Sequence, residues 1–464
     1  MREISNVRYD TVIIGAGLSG LAAGIRLAYF NKSVCMVEKH STIGGLNSFY
    51  RLRNRNHDVG LHAVTNYAPP GTKSGPLSKL LRQLRLRWDD FSLCPQIESS
   101  IVFPGYTLRF NNDFSLLFQQ IVEQFPKQVD NLRRLLRHID SHDYVNLNHV
   151  ATSARAVVGE FLTDSRLVDM LFCPLMYYGS ATPRDMDFHQ FVVMFKSIFY
   201  EGLGRPFEGI RLILKKLVRQ FKSLGGELRL RAGVKSIQGD SSRATGVVLE
   251  DGEVVEASSI LSSAGSAETL RLLPNGTDIP KSTPGEISFL ETIFSLDRQP
   301  QDLGYRQTMV FYNDDETFHY EMPEQPADVR SGIICSPNNF KYKIPLEEGR
   351  IRITALANPG YWMNLPEDEY VAQKKVWCRR VVESSIRHMP DFRASIVDTD
   401  VFTPRTINRF TGHINGCVYG APDKLVNGRT PLENVFVCGT DQGFVGIIGS
   451  ILSGISIANT YLVR

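Results

Sequence analysis

Cysteine is scarce in this chain of 464 residues, and the few cysteines are scattered. They are odd in number and no two have C-x-x-C spacing: Cys35, Cys94, Cys173, Cys335, Cys378, Cys417 and Cys438. This pattern is untypical of a disulfide framework or of a zinc site. We therefore expect reduced thiols inside a cytoplasmic protein.

The sequence also lacks a marked excess of positive or of negative charge. The sequence has 52 lysines and arginines against 49 acidic residues, a formal net charge of +3. A general nucleic-acid binder normally carries a concentrated basic stripe, so we expect no nucleic-acid partner. Residues 1–5 lead directly into a strand pattern without the apolar segment of a secretory signal. This favours a cytoplasmic location, with peripheral contact at the inner face of the membrane as an open alternative.

Signatures of metal-dependent and nucleophilic catalysis are also missing. No G-x-S-x-G nucleophile elbow occurs in the sequence. His138 and His142 have the i, i+4 spacing that places two imidazoles on one helix face, but no Glu follows the first His and no third ligand is evident. We interpret the pair as a solvated helix end and predict no metal.

The N-terminus does contain a strand, a glycine turn and a helix. A continuous apolar run, Val12 to Ile14, is typical of a buried parallel strand. Gly15, Gly17 and Gly20 follow in the spacing that permits a tight turn, close approach of a pyrophosphate and close packing of the helix. A second apolar strand ends at Glu38, where an acid accepts hydrogen bonds from ribose hydroxyls. The motif predicts NAD or FAD, since both contain the ADP half that it recognises.

Two further features favour FAD. Gly44 to Asn47 begins with a diglycine, six residues beyond Glu38. Near the other end of the chain, Val435 to Cys438 forms a short apolar strand, and Gly439 and Asp441 follow it. An acid at that point is suited to accept hydrogen bonds from the ribityl hydroxyls of a flavin.

The C-terminal segment Gln442 to Val463 has no charged residue, which is long enough to suggest a membrane span. Four small side chains recur at every fourth residue along it: Gly446, Ser450, Gly454 and Ala458. Such a line permits close helix contact, either between membrane helices or within a soluble fold. Only 15 residues lie between Gly443 and Asn459. We therefore predict a buried helix that begins near Gly446 and Ile447 and points its positive end at the cofactor ring.

These motifs resemble the phytoene desaturase, carotenoid isomerase and retinol saturase group of FAD-dependent oxidoreductases, which have the flavin amine oxidase-like fold. The resemblance covers residues 10–62 and 226–464 and also rests on the segment Asp58 to His62. It implies that the protein binds FAD and that the backbone at Val234 meets the adenine. The cofactor-binding residues that we expect are Gly15, Gly17, Leu18, Ser19, Gly20, Glu38, Lys39, Gly45, Leu46, Asn47, Gly60, Leu61, His62, Val234, Gly439, Asp441, Gly446 and Ile447.

The sequence departs from that group at two positions. Leu46 stands where many relatives have Arg, and Leu61-His62 replaces the Pro-Thr that is frequent in carotenoid desaturases. The retinol saturases are similar to this chain at the second point. The departures leave open whether the reaction is desaturation, isomerisation or saturation.

The fold class that these patterns predict is α/β, a Rossmann-type FAD-binding domain with an interleaved α+β substrate domain. The FAD-binding domain is expected to contain residues 1–95, 206–274 and 401–464, and the substrate domain residues 96–205 and 275–400. Asp251-Gly252 predicts a tight hairpin turn within the first domain.

The predicted substrate domain contains an aromatic stripe at helical spacing: Phe188, Phe191, Val192, Phe195, Ile198 and Phe199. We interpret it as the face of a core helix. The alternative is a hydrophobic mouth that rests on a membrane and admits a lipid. Four basic residues that could then face anionic headgroups are otherwise a solvated surface: Lys79, Arg82, Arg85 and Arg87.

Flavin enzymes need few catalytic side chains, because the cofactor exchanges the hydride. His62 is the candidate catalytic base, since it is close in sequence to Gly60 and its ordinary pKa is near neutral. His413 is a second candidate. The predicted substrate is an apolar isoprenoid, a carotenoid or its precursor. The alternatives are another flavin enzyme, such as a hydroxysqualene dehydroxylase or an amine oxidase, and a prenyl-lipid carrier without redox activity, as Rab escort proteins are.

Overall fold

The computed structural model describes residues 8–143, 150–274 and 282–464. The predicted lead-in at residues 1–5 and the predicted domain limit at residue 275 lie outside these ranges.

Eighteen β-strands are found in the described residues. They are β1 (Tyr9–Ile14), β2 (Val34–Glu38), β3 (Phe49–Leu52), β4 (Arg55–Asp58), β5 (Leu93–Pro95), β6 (Ser99–Phe103), β7 (Tyr106–Phe110), β8 (Gly204–Pro206), β9 (Glu227–Leu230), β10 (Val234–Gly239), β11 (Ala244–Leu249), β12 (Val254–Ser262), β13 (Ser288–Leu296), β14 (Met309–Asn313), β15 (Ser331–Cys335), β16 (Gly349–Ala357), β17 (Ile396–Phe402) and β18 (Val435–Val437).

Fourteen α-helices connect or flank these strands in the same ranges. They are α1 (Leu18–Tyr29), α2 (Gly75–Leu84), α3 (Trp88–Phe91), α4 (Phe114–Gln124), α5 (Val129–Ser141), α6 (Ala154–Gly159), α7 (Ser165–Gly179), α8 (Phe188–Phe195), α9 (Ile210–Ser223), α10 (Ser266–Leu270), α11 (Pro359–Asn364), α12 (Glu367–Ser385), α13 (Pro404–Thr411) and α14 (Gly446–Ile457). One-turn π-helices, Lys196–Tyr200 and Ala458–Leu462, extend α8 and α14.

The first large sheet brings both ends of the chain together. Its order is β10-β11-β12-β1-β2-β9, and β18 pairs with β12 on the side away from β1. The pairs of β1 with β12 and β2, of β2 with β9, and of β12 with β18 are parallel. Parallel strands present their carboxyl ends at one edge, where α/β folds bind their ligands. The predicted hairpin is confirmed, since β11 and β12 are antiparallel and Gly252 in their turn has φ +93°.

The second large sheet has the order β17-β13-β16-β15-β14-β6-β7. Its pairs are antiparallel except for β6 with β14. The central strand β13 is almost wholly buried along its length. One face of this sheet packs on α7 and α8, and the other packs on the long helix α12.

The C-terminal helix α14 lies against α1, as the line of small residues predicted. A Cβ added at Gly454 would lie 2.0 Å from the carbonyl oxygen of Ser19, so only glycine allows this approach. The interpretation of the C-terminal segment as a membrane span is therefore wrong, because α14 is a 12-residue helix packed inside the fold. Over 8–143, 150–274 and 282–464, no helix is both long enough and apolar enough to cross a bilayer.

The predicted aromatic stripe is part of the core. All six of its side chains are buried, and Phe191, Phe195 and Phe199 form successive ring contacts along α8 and its π-helical extension. The stripe is therefore a core face, and the interpretation of it as an exposed mouth is wrong. The four basic residues on and after α2 are solvent-exposed.

Candidate functional site

The glycine turn joins β1 to α1 as the spacing predicted. Gly15 has φ +91°, and the hydroxyl of Ser263 donates to the carbonyl oxygens of Ile14 and Gly15, each at 3.0 Å. A Cβ at Gly20 would lie 2.4 Å from the Gly15 oxygen. The turn is thus closed on its sheet side by β12 and by the first turn of α1.

Glu38 holds this turn in place. Its carboxylate accepts hydrogen bonds from the backbone N–H groups of Ala16 and His40, both at 2.8 Å. The Glu38 carbonyl oxygen accepts from the N–H of Ala232, two residues before Val234. Glu38 and Val234 are therefore neighbours at one end of the sheet, while the Lys39 ammonium is exposed and pairs with Glu250 at 3.0 Å. Contact of these residues with an adenosine stays a prediction.

Asp441, which follows β18, contacts residues that are distant from it in the sequence. It is buried, and its carboxylate accepts from the N–H of Ser266 at 2.5 Å and from the N–H of Ala421 at 2.8 Å. The Lys424 ammonium lies 3.6 Å from the same carboxylate. The sequence analysis predicted that Asp441 accepts hydrogen bonds from ribityl hydroxyls, whereas its hydrogen-bond donors in the structure are backbone N–H groups. Its role toward a cofactor stays a prediction.

A cavity of about 210 Å³ lies where these elements meet. The glycine turn, the diglycine, the loop after β4, the loop after β18 and the start of α14 all contribute to its wall. Eleven of the expected cofactor-binding residues line it: Gly17, Leu18, Ser19, Gly45, Leu46, Asn47, Gly60, His62, Gly439, Gly446 and Ile447. The others lie outside its lining: Gly15, Gly20, Glu38, Lys39, Leu61, Val234 and Asp441.

Leu61 is one of the expected cofactor-binding residues that do not line the cavity. Its side chain is fully buried, and its carbonyl oxygen accepts from Arg205 at 2.9 Å and from Arg352 at 2.8 Å. These two guanidinium groups fix the backbone just before His62. Leu61 therefore positions the loop rather than facing the open space.

The opposite wall of the cavity is aromatic and apolar, and sequence analysis did not find it. It is formed by Tyr177, Tyr178, Phe289, Ile333, Val418 and Tyr419. The tyrosine hydroxyls point into the protein: that of Tyr178 lies 3.2 Å from the sulfur of Met309, and that of Tyr419 donates to the Tyr177 carbonyl oxygen. The rings thus present carbon surface to the cavity. No local signal in the sequence joins these residues, because they come from α7, β13, β15 and a late loop.

A buried polar cluster on the second sheet also borders the cavity. Its members are His62, Glu291 on β13, and Arg352 and Thr354 on β16. His62 Nε2 lies 2.9 Å from Thr354 Oγ1 and 3.4 Å from a carboxylate oxygen of Glu291. Arg352 Nε donates to that same oxygen at 2.6 Å, and the Thr354 hydroxyl donates to the other one. Burial by itself would raise the pKa of Glu291, but the charges of Arg352 and His62 lower it to about 2.

His413 lines the same cavity. Its Nδ1 lies 3.4 Å from a carboxylate oxygen of Glu268, which also accepts from the N–H of Ile414 at 2.9 Å. Burial would raise the pKa of Glu268, yet the neighbouring His413 and the backbone donors lower it. Glu268, His413 and Cys417 have potential ligand atoms within 4.8 Å of one another, the one such group in the described ranges. His138 stacks on Phe188 and is not part of it. The absence of a metal stays a prediction.

Comparisons with known proteins agree with this arrangement. Residues 13–84 match the NAD(P)-binding Rossmann-like domain family. Chloroplastic prolycopene isomerase from Arabidopsis thaliana is 21% identical over 500 residues, covering 97% of this chain and 82% of that protein. All-trans-retinol 13,14-reductase from Danio rerio is 22% identical over 536 residues, covering 98% and 86%. The chain is similar to both of these enzymes over nearly its whole length. The resemblance predicted from the sequence, and with it the expectation of an enzyme, is confirmed.

The solved structures agree on the fold. Putrescine oxidase bound to putrescine superposes with a TM-score of 0.64 at 16% identity, covering 99% of this chain and 100% of that one. The predicted α/β class with a Rossmann-type domain and a flavin amine oxidase-like fold is thus confirmed. A Rossmann-like domain within this fold indicates a flavin or another dinucleotide cofactor.

Proposed function

We propose that the protein is an FAD-dependent oxidoreductase that acts on the carbon–carbon bonds of a long apolar polyisoprenoid, a carotenoid or its precursor. The reaction would be desaturation, isomerisation or saturation. The observation that carries the proposal is the single cavity with two unlike walls, one built from glycine loops and one from aromatic side chains. Relatives that match nearly the whole chain and are named for prolycopene and retinol support the substrate class.

The glycine wall fits the backbone approach that a bound dinucleotide needs. A Cβ added at Gly17 or at Gly45 would meet no atom closer than 4.0 Å, and both glycines line the cavity. A larger side chain at Gly17 would therefore extend into the space that a dinucleotide needs. The N-terminus of α14, at Gly446 and Ile447, borders the same space and favours negative charge. Bound there, FAD would supply the acceptor or donor of a hydride.

The opposite wall fits an apolar chain better than an amine. A substrate ammonium needs a free acceptor, but the tyrosine hydroxyls are used within the protein, and Glu291 is already paired with Arg352. A second cavity of about 1180 Å³ adjoins the first at Thr65 and runs beside α14. Val445, Ile448 and Leu452 contribute apolar surface to it. We propose that it accommodates the part of the substrate that extends beyond the reacting bond.

Expression in cells that make phytoene, dehydrosqualene or other polyene precursors tests this function. We expect at least one host to yield a changed pigment, since each conjugated double bond added moves the absorption to longer wavelength. A shift to shorter wavelength would identify saturation, and an unchanged mass with altered retention would identify isomerisation. If FAD-loaded protein accumulates but no polyene changes in any host, and an amine substrate is oxidised instead, the proposal is wrong.

His62→Ala tests the candidate base. We expect the variant to keep its bound flavin, because the glycine wall is intact, but to lose about 10²- to 10⁴-fold in the rate of anaerobic flavin reduction by substrate. Stopped-flow spectroscopy of the flavin band measures this rate. His319→Ala is a suitable control, because His319 is partly exposed and does not line the cavity. Wild-type reduction rates in His62→Ala would exclude His62 as the base.

A further inference from the structure

The hydrogen-bond chain from Glu291 to His62 has one consistent direction. Thr354 has a single hydroxyl proton, and the Glu291 carboxylate can only accept. The Thr354 proton therefore lies toward Glu291, and Thr354 Oγ1 accepts from His62 Nε2, at 2.9 Å. In the neutral imidazole, the proton is thus on Nε2 and the lone pair is on Nδ1. No described residue hydrogen-bonds His62 Nδ1, and the His62 side chain borders the cavity.

We propose that Glu291 and Thr354 are positioning residues that hold the His62 proton on Nε2, so that Nδ1 exchanges the substrate proton and Glu291 stabilises the resulting imidazolium. This inference rests on the proposed function for the identity of the substrate. The arrangement resembles a catalytic histidine in which one ring nitrogen acts as the base and a buried carboxylate orients the other ring nitrogen. It differs in that a threonine hydroxyl lies between the two groups.

The proton and electron balance follows directly from this role. In desaturation, a hydrogen on an allylic carbon would leave with its bonding electron pair, for which bound FAD would supply the two-electron acceptor, and His62 Nδ1 would take the proton from the neighbouring carbon. The electron pair of that second C–H bond would become the new π bond. In saturation, the His62 imidazolium would donate the proton, and bound reduced FAD would supply the hydride.

Several charges surround His62, and their arrangement favours this assignment. Arg352 lies beyond Glu291 and forms a buried ion pair with it. Arg205 donates to the carbonyl oxygens of Leu61 and His62 and is itself paired with Asp58. Both guanidinium groups are thus partnered by a carboxylate. Among these groups, Glu291 is the carboxylate whose oxygen lies within 3.4 Å of the imidazole.

Nitrogen-15 NMR of the FAD-loaded full chain, labelled at histidine, reads the tautomer of His62 without any substrate. The resonance is assigned by its loss in His62→Asn. We expect the Nε2–H tautomer in the wild type and a smaller share of it in Glu291→Gln, because a Gln amide can donate to Thr354 Oγ1 and no longer requires the Thr354 proton to point toward position 291.

Two further variants keep the test decisive. Thr354→Val leaves the Glu291–Arg352 pair intact and should weaken the preference for Nε2–H even if Glu291→Gln does not fold. Asp169→Asn alters another buried carboxylate, which pairs with Arg155 at 2.6 Å, and should leave the His62 tautomer unchanged. An Nδ1–H tautomer in the wild type would overturn the proposal, as would a tautomer ratio that is unchanged in both Thr354→Val and Glu291→Gln. Failure to convert any polyene, with the tautomer as expected, would instead count against the proposed function alone.

Discussion

Gly17→Val is expected to give a folded protein that no longer binds FAD. Gly17 has φ −73° and ψ 177°, a conformation that any residue adopts, and the nearest atom to an added Cβ would be Ser263 Oγ at 4.0 Å. The replacement loses only a modest helix-capping preference, at most about 1 kcal/mol. Its methyl groups would occupy the space that a diphosphate needs beside the first turn of α1. We expect at least a 100-fold weaker FAD affinity.

Isothermal titration of the apoprotein with FAD measures this effect, and thermal unfolding of the same apoprotein shows whether the fold survives. Gly159→Val is a matched control, since Gly159 in α6 also has open space around it and does not line the cavity. The control should bind FAD like the wild type. Unaltered FAD binding by a folded Gly17→Val would mean that the dinucleotide does not approach this turn.

Gly454→Leu should destabilise the protein by about 3 kcal/mol, which is the upper part of the range for overpacked cores. The added Cβ would lie 2.0 Å from the Ser19 carbonyl oxygen and 2.8 Å from its carbon, and both are backbone atoms that cannot rotate away. Leucine favours a helix over glycine by about 0.8 kcal/mol, which is too little to offset this overlap. α14 would therefore move away from α1.

Chemical denaturation compares this variant with Ser456→Leu, which adds the same side chain on the face of α14 that borders the larger cavity. We expect the control to remain within about 1 kcal/mol of the wild type, as is usual for substitutions outside the core. FAD binding should weaken in Gly454→Leu alone, because Gly446 and Ile447 at the start of α14 would be displaced. Equal stability of the two variants would contradict the close packing of α1 and α14.

Local spacing was sufficient to predict the glycine-turn wall of the cavity. The glycine turn, its flanking strands and α1 are encoded by adjacent residues, and the strand that ends at Glu38 closes the same unit. The start of α14 at Gly446 was also predicted, because small residues at every fourth position lie on one face only if the segment is a helix. In these segments, the residues that lie close together in space are also close together in the sequence.

The surroundings of His62 could not be predicted in the same way. His62 was proposed as the base because it follows Gly60, but Glu291 and Thr354 are brought beside it only by the pairing of β13 with β16. In sequence, β13 is mainly an apolar strand, and a lone Glu within it gives no indication of a partner 229 positions away. The aromatic wall escaped prediction for the same reason. Asp441 shows a further limit, since the spacing drew attention to this acid but did not indicate that the N–H groups of Ser266 and Ala421 donate to it.

Hydrogen–deuterium exchange with and without FAD tests most directly whether the two ends of the chain surround one cofactor. The structure predicts that FAD slows exchange in two separate peptides at once, one around Gly15 to Gly20 and one around Gly439 to Ile447. Protection confined to the N-terminal peptide, with the C-terminal peptide exchanging as in the apoprotein, would contradict the shared site.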